Sequence, residues 1–475
     1  MAPNRIIIDT DPGVDDVLAM LLALASTPDE LEILLLSVQF GNVDVQNCLR
    51  NVVSLFHHIG KERAWRKEHG RPEGFQTLNV TKPIVAVGAE EPLAEHMMVA
   101  DFFHGVDGLG GIHESHPHLT PAETWKSLFK PAPESMTPEE AIELQKVKDE
   151  HSLFIPSLKP AHEEMLRLLR ENERDTITIV AVGPLTNLAI AAATDTETFL
   201  RVKEVVIMGG AVDVPGNSPS LSQLYSKEVM SIPVPQFRLI KQPDTPLRRA
   251  LNIRNQMTPG AEFNTYADSV AAARVFALTS PNPHTTMPVV SGGKGALPNY
   301  PAKLSRQLKI KLFPLDITSP HLLPKPLFTQ YTAPLAASGS PLANWTTLFV
   351  NSTYRKIHSI RPDLDSDTIG LEMHDPLTIW YALTANDPLW RFKEDEDIRI
   401  ETSGQWTRGT CIVDRRGKGI KQEGDAGVDL DAEVTGDAGG WLDGRKGNRV
   451  GRCIGTPGET VFAEVLLERL FGDVA

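Results

Sequence analysis

Apolar residues fall in short runs and helical stripes that alternate along the first part of the chain. Ile6-Ile7-Ile8 is a continuous apolar run ending in acids. Such a run, closed by a turn, reads as a strand buried on both faces. Val17, Leu18, Leu21, Leu22 and Ala25 then recur at helical spacing, Pro28-Asp29 interrupts that helix, and Ile33 to Val38 is a second buried strand. Strand, helix, strand is a βαβ unit, which implies a parallel sheet with a right-handed crossover. Runs at Ile84–Val87, Ile177–Val182 and Val205–Met208 predict further strands, and helical patterns follow at Thr186–Ala193 and Ala261–Leu278. The expected fold class is α/β: an open, mostly parallel sheet flanked by helices, doubly wound and Rossmann-like.

Elsewhere the pattern is interrupted. Ala64–Asn79 is polar and basic, and Thr120–Lys159 is rich in Pro and Glu, with one helix expected at Pro138–Lys148. Pro215–Leu251 and Pro281–Lys311 are rich in Pro and Ser, and Arg415–Val450 is rich in Gly, Asp and Lys and reads as flexible. Residues 1–475 are therefore expected to form a single domain carrying insertions at 64–79, 120–159, 215–251 and 281–311 and a flexible 415–450 segment.

Charge narrows the partners. The formal net charge is −14, from 47 basic and 61 acidic residues. An acidic surface repels phosphate backbones and anionic membranes, so neither nucleic acid nor a membrane is expected as partner. A neutral small molecule is not excluded. Cys48, Cys411 and Cys453 are an odd number and widely spaced, which gives no disulfide framework or zinc pattern and favours a reducing compartment. The N-terminus has no long apolar stretch before its first acids, so no secretory signal is expected and the location expected is cytoplasmic.

In open α/β sheets, ligands sit at the carboxyl ends of the strands. Three polar segments fall there: the acids after Ile8, Gly41-Asn42 after Phe40, and Gly183-Pro-Leu-Thr-Asn187 after Val182. The first holds four carboxylates, Asp9, Asp11, Asp15 and Asp16. Crowded carboxylates near a strand end need a compensating charge, and a hard cation such as Ca²⁺ accepts ~6–8 oxygen ligands at flexible geometry. Pro12-Gly13 turns the chain so that Asp11 and the Asp15/Asp16 pair face one point. Two other readings stay open. One is a plain acidic helix N-terminus, where the dipole favours Asp. The other is a phosphatase of the haloacid dehalogenase type, whose Asp-x-Asp-x-Thr/Val pattern has Gly13 at its last position here.

Several separated segments resemble, in order, the inosine–uridine-preferring nucleoside hydrolases. They are Asp9-Thr-Asp-Pro-Gly-Val-Asp-Asp16, Phe40-Gly-Asn-Val43 with Arg50-Asn51, Phe103-His-Gly-Val-Asp-Gly-Leu-Gly-Gly111, Val182-Gly-Pro-Leu-Thr-Asn187 and Val206-Ile-Met-Gly-Gly-Ala211. Thr258 to Asp268, Leu315-Asp-Ile-Thr318, Met373-His-Asp-Pro376 and Thr407 to Asp414 complete the set. The resemblance implies the nucleoside hydrolase fold, a homo-oligomer (dimer or tetramer), and hydrolysis of purine or pyrimidine ribonucleosides, such as inosine or uridine, in nucleoside salvage. It further implies that Asp11, Asp16, Asp375 and the Val182 carbonyl hold Ca²⁺, and that Asp11 serves as general base toward a water. Asp15, Asn42 and Asn264 would take the ribose 2′- and 3′-hydroxyls, and Glu262 the 5′-hydroxyl. His104 and Phe263 would lie against the base or the sugar, and His374 would protonate the leaving base. Asp9 receives no firm role, and Tyr354 is a candidate for the base pocket. Where the family usually has Asn, six residues before the glutamate, this chain has Gln256, with Asn255 beside it. The stretch from Gly210 to Thr258 is also longer than the family pattern and reads as a lid or as a disturbance of the site.

The chemistry explains these residue types. Cleaving an N-glycosidic bond passes through an oxocarbenium-like ribosyl cation. Water must be activated by a carboxylate such as Asp11. Positive charge at the anomeric carbon favours nearby carboxylates and the Asn264 carboxamide. The departing base leaves better when protonated, which suits a histidine. Taken one at a time, His374 also suits a core position, and Glu262 and Asn264 a first helical turn after Thr258-Pro259. The competing function is a catalytically weak nucleoside-binding homologue of the same fold, motivated by Gln256 and the 215–251 segment.

Overall fold

The structure, a computed structural model, describes residues 3–131, 136–217, 258–288, 297–365, 368–416 and 436–472. Thirteen described strands are β1 (Asn4–Thr10), β2 (Leu31–Val38), β3 (Ile84–Val87), β4 (Ile155–Pro156), β5 (Ile177–Ala181), β6 (Glu204–Met208), β7 (Ile310–Phe313), β8 (Leu322–Pro324), β9 (Gly370–Glu372), β10 (Arg391–Glu396), β11 (Arg399–Ile400), β12 (Cys411–Ile412) and β13 (Val450–Gly455). Nine form one sheet in the order β10-β13-β7-β6-β5-β1-β2-β3-β4. Every pairing in it is parallel except that of the edge strand β10 with β13. The expected open, mostly parallel sheet is thus the observed one.

Side-chain alternation along the strands divides the interior. Ile6 and Ile8 enter the core on one face of the sheet, and Ile7 enters the core on the other. Val206 and Met208 likewise part from Val205 and Ile207. Each strand therefore needs apolar residues at successive positions, which is why these segments read as continuous runs.

The first helix, α1 (Val14–Leu24), has all eleven residues buried, Asp15 and Asp16 included. It is closed in by the sheet and by the helices His374–Thr384 and Val461–Phe471. Its start is fixed by Asp16, whose carboxylate accepts the Gly13 N–H at 3.0 Å. Asp44 caps α2 (Val45–Glu68) by accepting the N–H groups of Gln46 and Asn47. The pattern expected at Ala261–Leu278 is two helices, Phe263–Ala267 and Ser269–Ala277, parted at Asp268, whose side chain caps the second.

Three expected insertions and part of the 415–450 segment take definite form where they are described. Residues 64–68 are the last turn of α2, and Arg66 there is buried against Glu62. Their basic character is that of a long helix leaving the core. Within 120–159 lie a buried Trp125, a helix at Pro138–Glu150 and the strand β4. The 281–311 segment ends inside β7, a strand of the main sheet. Of the 415–450 segment expected to be flexible, residues 417–435 lie outside the described residues, and the chain at 448–450 is hydrogen-bonded to the 397–398 backbone and side chains. Asn448 N–H donates to Asp397 at 2.8 Å, Asn448 Nδ2 to the Ile398 carbonyl at 2.7 Å, and Val450 opens β13. The greater part of 215–251, with Asn255 and Gln256, lies outside the described residues. Among the described residues no helix is long and apolar enough to cross a membrane.

Candidate active site

The carboxyl ends of β1, β2, β5 and β6 meet at one point, and the polar segments after them line it. Asp11 and Asp16 are fully buried, and Asp15 and Asp375 nearly so. Oxygen atoms of Asp15, Asp16 and Asp375 lie within 4.8 Å of one another. Asp375 arrives from the first turn of the helix His374–Thr384, so residues far apart in sequence share one cluster. The grouping differs in one respect from the ligand set the resemblance implied: Asp15 stands inside the cluster, and Asp11 beside it.

Asp16 both caps α1 and joins this cluster. Its Oδ1 accepts from Thr10 Oγ1 at 2.7 Å and Asp11 N–H at 3.2 Å, and its Oδ2 from Gly13 N–H and from Asn42 Nδ2 at 2.8 Å. The helix-start reading and the cation reading therefore describe the same side chain. Asp11 Oδ2 accepts the Asn42 N–H at 2.7 Å, while its Oδ1 is buried without a hydrogen-bond partner. Gly41 and Gly183 flank that carboxylate so closely that a Cβ on either would collide with it. Burial raises the pKa of all four carboxyls. Asp15 reaches about 7, with the Asp16 charge adding to burial, and Asp11 and Asp375 are held well above the usual carboxylate range by burial and by their acidic neighbours. Buried oxygens that repel one another, one of them unpartnered, make a donor set that fits a hard divalent cation.

The opposite wall comes from Glu262 to Asn264. Asn264 Nδ2 donates to the Val182 carbonyl at 2.8 Å and to the Met208 carbonyl at 3.3 Å, so it bridges the ends of β5 and β6. Glu262 accepts from three backbone N–H groups, those of Asn264 (2.8 Å), Gly210 (2.8 Å) and Thr265 (3.0 Å). It is thus a helix cap as well as a wall residue. Phe263 packs with Met98, Ala100 and Tyr266. Arg408, from the Thr407–Asp414 block, lies 3.8 Å over the Tyr266 ring and donates to its carbonyl at 2.9 Å, buttressing this wall.

The two expected histidines differ. Burial pushes His104 down to about 3, and its Nδ1 accepts the Val14 N–H at 3.2 Å, so it is a neutral wall. Gly13 leaves room for it, because a Cβ there would come within 2.7 Å of His104 Nδ1. His374 goes the other way. Burial pulls its pKa down, but the Glu372 carboxylate at 2.9 Å from Nε2, together with Asp15 and Glu262, raises it overall. Its Nδ1 is 2.8 Å from Thr318 Oγ1.

All the expected site residues thus gather at this end of the sheet, with one exception. Tyr354 is buried in the core, its hydroxyl donating to the Leu323 carbonyl at 3.0 Å, and it lines no base pocket. Several supporting residues lie outside the expected site set. Glu372 and Thr318 hold the His374 ring; Glu372 is two residues from it, and Thr318 lies in a resembling block. Asn51 Nδ2 donates to the carbonyls of Pro12 and Asp107, each at 2.8 Å, tying the aspartate turn to the 105–111 loop. Asp9 gains a role. It accepts from Ser37 Oγ, from Gln39 Nε2 at 2.7 Å and from Asn187 Nδ2 at 2.8 Å, so it fastens β1, β2 and the segment after β5 behind the site.

Comparison with known proteins points the same way. The family model described as Inosine-uridine preferring nucleoside hydrolase matches residues 6–437. The non-specific ribonucleoside hydrolase RihC of Klebsiella pneumoniae (strain 342) is 27% identical over 441 residues, covering 91% of this chain and 94% of that one. The pyrimidine-specific ribonucleoside hydrolase RihA of Escherichia coli O127:H6 is 26% identical over 409 residues, covering 86% and 88%. Two solved structures share the fold. The plant nucleoside hydrolase PpNRh1 has a TM-score of 0.57 at 20% identity, covering 99% of this chain and 100% of its own. The purine-preferring ribonucleoside hydrolase from Gardnerella vaginalis has a TM-score of 0.56 at 18% identity, covering 98% of each chain. The match takes in every wall of the carboxylate cleft, from Asp11 to Asp375, and this chain belongs to the inosine-uridine preferring nucleoside hydrolase family, as a hydrolase acting on N-glycosyl bonds.

Proposed function

We propose that the chain is a Ca²⁺-dependent ribonucleoside hydrolase that acts on purine and/or pyrimidine nucleosides, such as inosine or uridine, and releases free base and ribose for salvage. The observation that carries the reading is the buried trio Asp15, Asp16 and Asp375 beside the unpartnered Oδ1 of Asp11. We assign Asp11, Asp16, Asp375 and the Val182 carbonyl to the ion, and Asp15 to the sugar edge of the same cluster. Bound there, Ca²⁺ would offset the clustered negative charge and lower the pKa of a water.

The chain's own residues do the remainder. Asp15 and Asn42 face the ribose 2′- and 3′-hydroxyls. Asn264 Nδ2 is committed to two carbonyls, so its carboxamide oxygen is the group left to meet the sugar. Asp11 takes a proton from the attacking water as the oxygen bonds to the anomeric carbon. The electron pair of the breaking C–N bond leaves with the base, and His374 supplies a proton to the base nitrogen. Both His374 ring nitrogens are engaged, so donation requires the ring to exchange one partner. Glu372, whose side chain is 47% exposed, is the partner that can swing away.

The test is a panel of inosine, adenosine, guanosine, uridine and cytidine assayed for free base, in Ca²⁺ and after chelation. Base release from purine nucleosides, pyrimidine nucleosides or both, lost with chelator and restored by Ca²⁺, is expected. Equal turnover with and without chelator would rule out the cofactor; binding without turnover in Ca²⁺ would leave a nucleoside-binding homologue.

A further inference from the structure

Two walls of the cleft, Glu262–Asn264 and His374–Asp375, come from distant parts of the chain. One four-residue helix, Leu315–Thr318, touches the supports of both. On one side, Asp316 accepts the backbone N–H of Val212 at 2.9 Å through Oδ2 and of Asp213 at 2.7 Å through Oδ1. Leu315 N–H donates to the Gly210 carbonyl at 2.9 Å. The N–H of that same Gly210 donates to Glu262 Oε2. The turn after β6 is thus clasped by the short helix and in turn holds the Glu262 carboxylate. Arg452, reaching from β13, fixes the clasp from behind, with Nη1 at 2.6 Å from Asp213 Oδ2 and 3.5 Å from Asp316 Oδ1. On the other side, Thr318 Oγ1 meets His374 Nδ1 at 2.8 Å. The chain beyond Thr318 also holds the backbone before that histidine, because Met373 N–H donates to the His321 carbonyl at 2.9 Å.

We propose that the Leu315–Thr318 helix is a brace that sets the spacing between the sugar wall and the His374 wall. Asp316 and Thr318 are its positioning residues, Asp316 acting on Glu262 through the 210–213 turn that it holds at Val212 and Asp213 and Thr318 acting through the His374 ring. The proposal rests on the reading that Glu262 faces the ribose and His374 the base. It goes beyond that reading by giving two residues that touch neither group of the substrate separable kinetic effects. Reach is short on both arms, so each residue is expected to move one kinetic parameter.

Three variants test this. Asp316→Asn keeps one acceptor oxygen but sets an amide against a backbone N–H, so one hydrogen bond is lost. KM should rise about fivefold, the net worth of one hydrogen bond, with kcat within about twofold. Thr318→Val keeps the shape and removes the hydroxyl, so kcat should fall about fivefold with KM nearly unchanged, and Thr318→Ser should restore it. Hydrogen–deuterium exchange gives a readout independent of turnover: in Asp316→Asn, amides at 210–213 and 262–265 should exchange faster while those of α1 do not. If kcat and KM stay within twofold of wild type in both variants, or fall together in step with the melting temperature, the helix is an ordinary strut and the proposal is overturned. If the wild-type protein releases no base from any nucleoside, the proposed function fails instead, and the exchange pattern still decides the brace: unchanged exchange at 262–265 overturns it.

Discussion

Removing a charge from the carboxylate cluster should make the ion-free protein more stable, not less. Asp15, Asp16 and Asp375 lie within 4.8 Å of one another in a buried site. At an effective dielectric constant near 20, two unit charges at that separation repel by about 3.5 kcal/mol. Asp375→Asn is nearly isosteric and removes two such repulsions, a gain of a few kcal/mol once proton uptake by the native cluster is allowed for. For a chain of 475 residues the unfolding entropy is about 1 kcal/mol per kelvin, so a melting temperature a few degrees above wild type is expected in chelator. Calcium should reverse the order. At about 100 times its dissociation constant a ligand stabilises the native state by ~2.7 kcal/mol, which would raise wild type by about 3 °C. Asp375→Asn should lose most of that response along with its base-releasing activity. Scanning calorimetry of both proteins, in chelator and across a Ca²⁺ titration, makes the comparison. A variant that melts below wild type in chelator, yet rises with Ca²⁺ as wild type does, would refute the assignment of the cluster to a cation.

Asp11→Ala should abolish base release by a factor of about 10³ or more, as expected for loss of a general base that also holds the ion, while circular dichroism stays native. Asp268 is buried and close to Glu95, and its pKa is raised from 3.8 to about 7. A raised carboxyl contributes stability below pH 4 that is lost as pH rises through about 7. Asp268→Asn should therefore flatten part of the fall in denaturant stability between those values, and an unchanged pH profile would count against the raised value. Glu62 is buried, accepting from Arg66 Nε at 2.8 Å, Ser340 Oγ at 2.7 Å and Leu342 N–H at 3.0 Å. Glu62→Ala strands all three, so a loss of about 3–5 kcal/mol in urea unfolding is expected, with kcat per folded molecule unchanged.

The sequence alone determined five strands between Ile6 and Met208, all but the short β4, together with the α1 stripe and the position of the aspartates at a strand end. These features are local: a strand buried on both faces must be apolar at successive positions, and a helix start needs its cap within a few residues. The resemblance of separated blocks then named the residues that line the cleft. What the sequence did not determine depends on contacts between distant segments. Ile310–Phe313 and Val450–Gly455 are sheet strands because they find partners across the core, although Pro- and Gly-rich flanks hide them. Tyr354 has a helical position and a polar tip that suit a pocket, yet its hydroxyl is used by Leu323 in the core. The division of labour among the carboxylates was also a tertiary matter. Which of Asp11, Asp15 and Asp16 faces Asp375 depends on how the His374–Thr384 helix packs against α1. No window of sequence contains both.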